Sequence, residues 1–246
     1  MKIKHSYPKF FSRMNVKDYT YFEIAYQTLC ESIEEFERID LKDIEQINFC
    51  TNKLRQNYHI IIVFSVMCLE AFINDYLAVC LTDDFFYSNL DKLSLKQKIE
   101  VIYKLVWNDN LDKSTCMYKY LSEMIKERNN FVHAKSSKMT EGIFDKVDTI
   151  IDDECFISSF MKLEFNSFCE FFNDSFNAIK TIYLFCIEVD NHDKNRNATA
   201  LLLRCISPNK FDFMEALPKI IKNEINKLEM KIKNIKNIIK KVKIDN

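Results

Sequence analysis

Glycine is almost missing from this sequence: Gly142 stands alone among 246 residues, and prolines number three, Pro8, Pro208 and Pro218. Hairpins, bulges and phosphate-cradling turns draw on glycine for backbone angles that other residues resist. With one glycine, β-rich and α/β architectures have little to build with, and an all-α chain is expected. Other chemistry is missing too. There is no glycine-rich phosphate loop and no serine elbow. His5, His59, His133 and His192 are scattered, with no pair at metal-ligand spacing. The many carboxylates form no recognisable acid/base pair. The residues from Met1 to Arg13 lack a continuous apolar stretch, so no secretory signal is read there.

What the chain does hold is nine cysteines, at 30, 50, 68, 80, 116, 155, 169, 186 and 205. Their number is odd and none lies within three residues of another, which matches neither a zinc knuckle nor a redox pair. Most sit among apolar neighbours as small hydrophobes, which fits a reducing cytosol and a cytoplasmic protein. The formal net charge of -1 points to no partner by itself. Its distribution says more: Lys219 to Lys243 carries nine lysines against Glu224 and Glu229. Such a basic tail suits nucleic acid, an acidic protein surface, or a solvated helix flank. Ile60 to Leu81 is the most apolar run, yet Glu70, Asn74 and Asp75 sit at its centre. A buried core helix, rather than a membrane span, is the expectation.

Read in order, residues 1–17 form an irregular arm and Tyr19 to Ile39 an amphipathic helix. Asp40 is placed to cap a helix from about Leu41 to Leu81, whose second half is apolar nearly all round and is read as the centre of a bundle. A loop over 82–93 precedes Ser94, a candidate cap for a helix from Leu95 to about Trp107. Thr115 to about Ala134 is helical, 135–153 a loop, and Phe156 to about Val189 a long Phe-rich helix. Asp190 to Asn197 breaks the pattern and divides a bundle of residues 1–192, with its core at about 19–190, from an extension of residues 193–246. The extension holds a short helix, Ala198 to Ile206, and a turn at Pro208. It ends in a helix whose Ile221, Ile225, Leu228, Ile232, Ile235, Ile239 and Val242 alternate four and three apart. That is a coiled-coil-like seam, and it must bury itself against a helix of the same subunit or of a second one.

One stretch is anomalous. Met117, Leu121, Met124, Ile125 and Val132 form an apolar stripe at helical spacing, and Arg128 falls on it. An unpaired buried guanidinium is costly, so it needs a partner or a purpose. Glu70 and Asn74 share one face of the central helix, and Glu70 is a candidate to hold Arg128. Asn129 and His133, four apart, stack on one face at the edge of the stripe.

The run Arg128-Asn129-Asn130-Phe131-Val132-His133 resembles the signature of the HEPN superfamily: an arginine, a polar residue straight after it, and a histidine four to six positions on. Ser65 to Asn74 is similar to the Glu- and Asn-bearing central helix of many prokaryotic members, and Leu95 to Ile99 to their intervening helix. The resemblance covers about residues 19–190. It implies an up-and-down helical bundle and a metal-independent endoribonuclease, a toxin or antiphage effector, needing no cofactor. It also implies a homodimer with a composite site, and an antitoxin or defence-complex partner. On this resemblance His133 acts as general base or acid at the ribose 2′-OH or the leaving oxygen, Arg128 holds the scissile phosphate, and Asn129 orients either group. Glu70, Asn74 and Asn130 support them, and Lys126 and Lys135 contact RNA. The chemistry is reasonable without a metal, because RNA carries its own nucleophile, histidine titrates near neutrality and guanidinium matches phosphate. Some members have a tyrosine two residues after the histidine that an antitoxin modifies. Lys135 stands there, so that regulation is not carried over.

Geometry adds a condition. Five residues on a helix lie about 140° and 7.5 Å apart. Arg128 and His133 therefore converge only if the arginine reaches round, the helix end bends, or a second subunit supplies one of them. Two non-enzymatic readings stay open. In one, Arg128 pairs with Glu70 and His133 caps a helix end. In the other, a HEPN-like module binds RNA or nucleotide, or serves as a scaffold subunit, without cleaving.

Overall fold

The computed structural model describes residues 18–132, 153–193, 198–199 and 217–245. Among them the chain is an all-α, up-and-down bundle of seven helices with no β-sheet. These are α1 (Asp18–Arg38), α2 (Ile44–Leu81), α3 (Asp83–Phe85), α4 (Leu95–Val101), α5 (Cys116–Val132), α6 (Asp153–His192) and α7 (Leu217–Asp245). Both α3 and α4 run on into single π-helical turns, Phe86–Leu90 and Ile102–Val106.

Helix ends follow local chemistry. Asp43, not Asp40, caps α2: its carboxylate accepts the amides of Glu45 and Gln46 at 2.9 and 3.2 Å. Asp40 instead turns the chain before the cap, accepting the Lys42 amide at 2.9 Å. Ser94 caps α4 as expected and shares a reciprocal capping box with Gln97. The span 82–93, expected as a loop, holds α3 and its π turn. The shortage of glycine shows at two helix ends, where Thr82 (φ 79°) and Asn108 (φ 53°) take left-handed backbone angles that glycine usually supplies. Residues 190–192, expected to break the chain, still belong to α6. The Asp190 carboxylate reaches on to accept from Ala198 and Thr199.

Two long helices organise the core. Helix α2 packs on α1, α4, α5 and α6, while α6 packs on α1, α2, α5 and α7. Phe22, Leu29 and Ile33 of α1, Ile61, Val66 and Tyr76 of α2, and Phe165, Phe172 and Phe185 of α6 are all within 1% of full burial. Each such side chain is worth about 1.5–3 kcal/mol of transfer free energy. By length and composition α2 could also cross a membrane; its most apolar window has mean hydropathy 1.8, and 56% of that window is buried inside the bundle.

The seam of α7 is covered within the same chain. Ile221, Ile225, Leu228, Ile232, Ile235 and Ile239 are buried in the same core cluster as the residues above. Their neighbours are α6 and, more lightly, α1. Lys236 bonds to Asn173 of α6, whereas Lys222, Lys227, Lys233 and Lys240 face solvent. The arm 1–17, the segment 133–152, most of 194–216 and the Val242 side chain lie outside the described residues.

Candidate functional site

Helix α5 enters the bundle buried and leaves it half open. Thr115 starts it, its carbonyl accepting the Lys119 amide at 3.1 Å and its hydroxyl the Tyr118 amide at 3.3 Å. Met117, Leu121 and Met124 are buried, Ile125 is half-buried, and Val132 is 56% exposed. The apolar stripe thus surfaces at its C-terminal end, and Arg128 sits where it surfaces.

Arg128 has the partner its position requires. Its Nη2 lies 3.5 Å from Oε2 of Glu70, with side-chain exposures of 23% and 40%. At that separation and exposure the pair orients the guanidinium more than it stabilises the fold; exposed pairs are worth about 0–1 kcal/mol. A guanidinium carries five N–H donors, so one carboxylate oxygen leaves it capacity for another anion. Asn129 and Asn130, the next two residues, are exposed, as is Lys126.

Asn74, one turn along α2 from Glu70, serves a different cation. Its Oδ1 accepts a hydrogen bond of 2.8 Å from Nζ of Lys98 on α4. Lys98 is only 3% exposed. Its ammonium also lies 5.5 Å from the centroid of the Phe86 ring. Burial pushes the Lys98 pKa down, and the carboxylates of Glu70 and Asp91 partly offset this. Glu70 therefore stands between Lys98 and Arg128, and three helices meet in one polar cluster of Glu70, Asn74, Lys98 and Arg128.

The end of α5 is also pinned by aromatic contacts. Phe131 meets Tyr58 edge-on at 5.7 Å and His59 at 4.0 Å between ring centroids. Beside them opens a pocket of about 320 Å³ whose walls include Arg55, His59, Glu127, Glu170 and Asp174. Asp174 keeps one edge in solvent, yet its pKa is pushed up to about 6, first by partial desolvation and then by Glu123, Glu170 and Glu127. Lys236 works the other way. Among the described residues no group of three or more His, Cys, Asp or Glu is arranged to hold a metal ion.

A second acid–base pair lies elsewhere. His192 Nε2 is 3.5 Å from Oδ2 of Asp109, and its Nδ1 is 2.9 Å from the Glu188 carbonyl oxygen. The imidazole stacks on Trp107 at 4.2 Å and 8°. The Trp107 indole N–H in turn donates to Tyr76 Oη at 2.9 Å. The amide of Asn110, then His192, holds the Asp109 carboxyl below its ordinary range.

Of the residues singled out from the sequence, the structure brings Arg128 to Glu70 and leaves Asn129, Asn130 and Lys126 exposed beside them. It gives Asn74 to Lys98. His133 and Lys135 lie outside the described residues. Lys98 was missed, although a signal was present: it falls between Leu95, Ile99 and Ile102 on the buried face of α4. The Asp109–His192 pair, 83 residues apart in sequence, carried no local signal at all. No family model, no curated protein and no solved structure matches the chain.

Proposed function

We propose that this protein is a metal-independent endoribonuclease of HEPN type, a toxin or antiphage-defence effector acting in the cytoplasm. The observation that carries the reading is Arg128: a guanidinium oriented by Glu70, partly open to solvent, with donors to spare. Asn129 is exposed one residue on, and His133 follows Val132 directly in the sequence. In the reaction, His133 removes the ribose 2′-OH proton and the 2′ oxygen attacks phosphorus. The phosphorus–O5′ bond breaks, and an acid returns a proton to O5′. Arg128 holds the phosphate oxygens as charge builds on them.

The reading includes a homodimer. Arg128 and His133 do not share a helix face, so a second copy supplies the convergence that one copy lacks. Ile60 is 37% and Val132 56% exposed, and Val63, Met67 and Ala71 are half-buried along the face of α2 that bears Glu70. That is an apolar surface suited to a second copy at the position where the motif needs one. An antitoxin or defence-complex subunit is the further partner this reading expects.

One observation favours a second reading. Arg128 is already ion-paired, which suits a HEPN-like RNA-binding or scaffold subunit without catalysis. Mixed RNA incubated with purified protein in EDTA separates the two. Cleavage that drops in both Arg128→Ala and His133→Ala supports the nuclease. Intact RNA with wild type, or equal cleavage by both variants, removes it.

A further inference from the structure

Lys98 has no part in the mechanism above, and its placement is unusual. A lysine that is 3% exposed is rare, because burying an ammonium costs several kcal/mol unless it is paired. Here its partners are a neutral amide, Asn74, and an aromatic face, Phe86, while its carboxylate neighbours Glu70 and Asp91 act at longer range. A methionine or leucine would fill the same space at lower cost. The lysine therefore does something there that an apolar side chain would not.

The geometry shows what that is. Helix α4 is locked in register by the Ser94–Gln97 capping box, so Lys98 approaches α2 from a fixed platform. It grips Asn74, one helical turn from Glu70, and draws on the Glu70 carboxylate from the side away from Arg128. Glu70 is then held between two cations on two different helices, and Arg128 binds a carboxylate that cannot swing away. We propose that Lys98 is a positioning residue for Arg128, acting through Asn74 and Glu70. It fixes the guanidinium at the angle a transition-state phosphate requires and touches no substrate itself. This inference rests on the nuclease reading for its catalytic consequence, but the physical link from Lys98 to Arg128 does not.

The test uses full-length protein and four variants. Lys98→Met keeps the length and removes the charge; Lys98→Arg keeps the charge. For the nuclease, Lys98→Met is expected to lower kcat about tenfold, the ~1.4 kcal/mol of one misaligned interaction, with KM for RNA unchanged and Lys98→Arg recovering most of the loss. If Lys98→Met instead lowers the melting temperature while kcat per folded molecule stays at the wild-type value, Lys98 is only structural and the proposal is overturned. If wild type cleaves no RNA, the nuclease reading fails, and the link is read from melting temperatures of Lys98→Met, Arg128→Met and the double variant. A double variant whose loss is clearly smaller than the sum of the two singles upholds the link. Additive losses overturn it.

Discussion

Two charge pairs in this protein have the same length and opposite character. Arg128–Glu70 and His192–Asp109 are each separated by 3.5 Å. The histidine is spent: one ring nitrogen faces a backbone carbonyl, the other a carboxylate, and the ring face is covered by Trp107. Nothing is left with which to bind or move a proton on a substrate. The arginine uses one nitrogen on one carboxylate oxygen, is backed by a buried lysine, and sits beside exposed asparagines. A charge pair becomes a candidate site through the hydrogen-bonding capacity it keeps, not through its separation.

That contrast can be broken in order of effect. Alanine at Arg128 or at His133 is expected to lower RNA cleavage by about two to four orders of magnitude, read from initial rates on mixed RNA. Ile232→Ala, on the buried face of α7 and remote from both pairs in sequence, is expected to cost about 2–5 kcal/mol of stability in urea denaturation. Its midpoint should not depend on protein concentration in monomeric conditions, because the seam is covered in cis. His192→Ala is expected to cost about 1 kcal/mol through the lost indole stack and to leave RNA cleavage unchanged. A fall in cleavage there would dissolve the distinction between the two pairs.

The smallest effect sharpens the wall beside the motif. The Asp174 pKa rises from an ordinary 3.8 to about 6 in the folded chain. Between those values the folded state binds the extra proton, so stability falls as pH rises through that window. Asp174→Asn is expected to flatten the slope of melting temperature against pH there, and an unchanged slope would show that the carboxylate crowding is not felt.

The bundle was legible because its signals are local and repeated. One glycine among long apolar periods leaves helices as the economical solution, and the α7 seam announced a buried face without naming what covers it. Arg128 on the α5 stripe was legible as a cost needing a partner, and Glu70 as the acid to meet it. The start of α2 was misplaced by three residues because Asp40 and Asp43 are chemically equal caps, and only the turn between them decides which amides each one accepts. The roles of Lys98 and of the Asp109–His192 pair depend on which helices become neighbours. No spacing along one helix encodes that.

The most direct measurement is the chemistry of the cut ends. Wild-type protein is incubated with mixed RNA in excess EDTA, and the termini of the fragments are analysed. Attack by the 2′-OH predicts 5′-hydroxyl ends opposite 2′,3′-cyclic phosphates, formed by wild type and not by Arg128→Ala. Fragments bearing 5′-phosphates, cleavage that vanishes with EDTA, or no cleavage at all would contradict a nuclease built on Arg128 and His133.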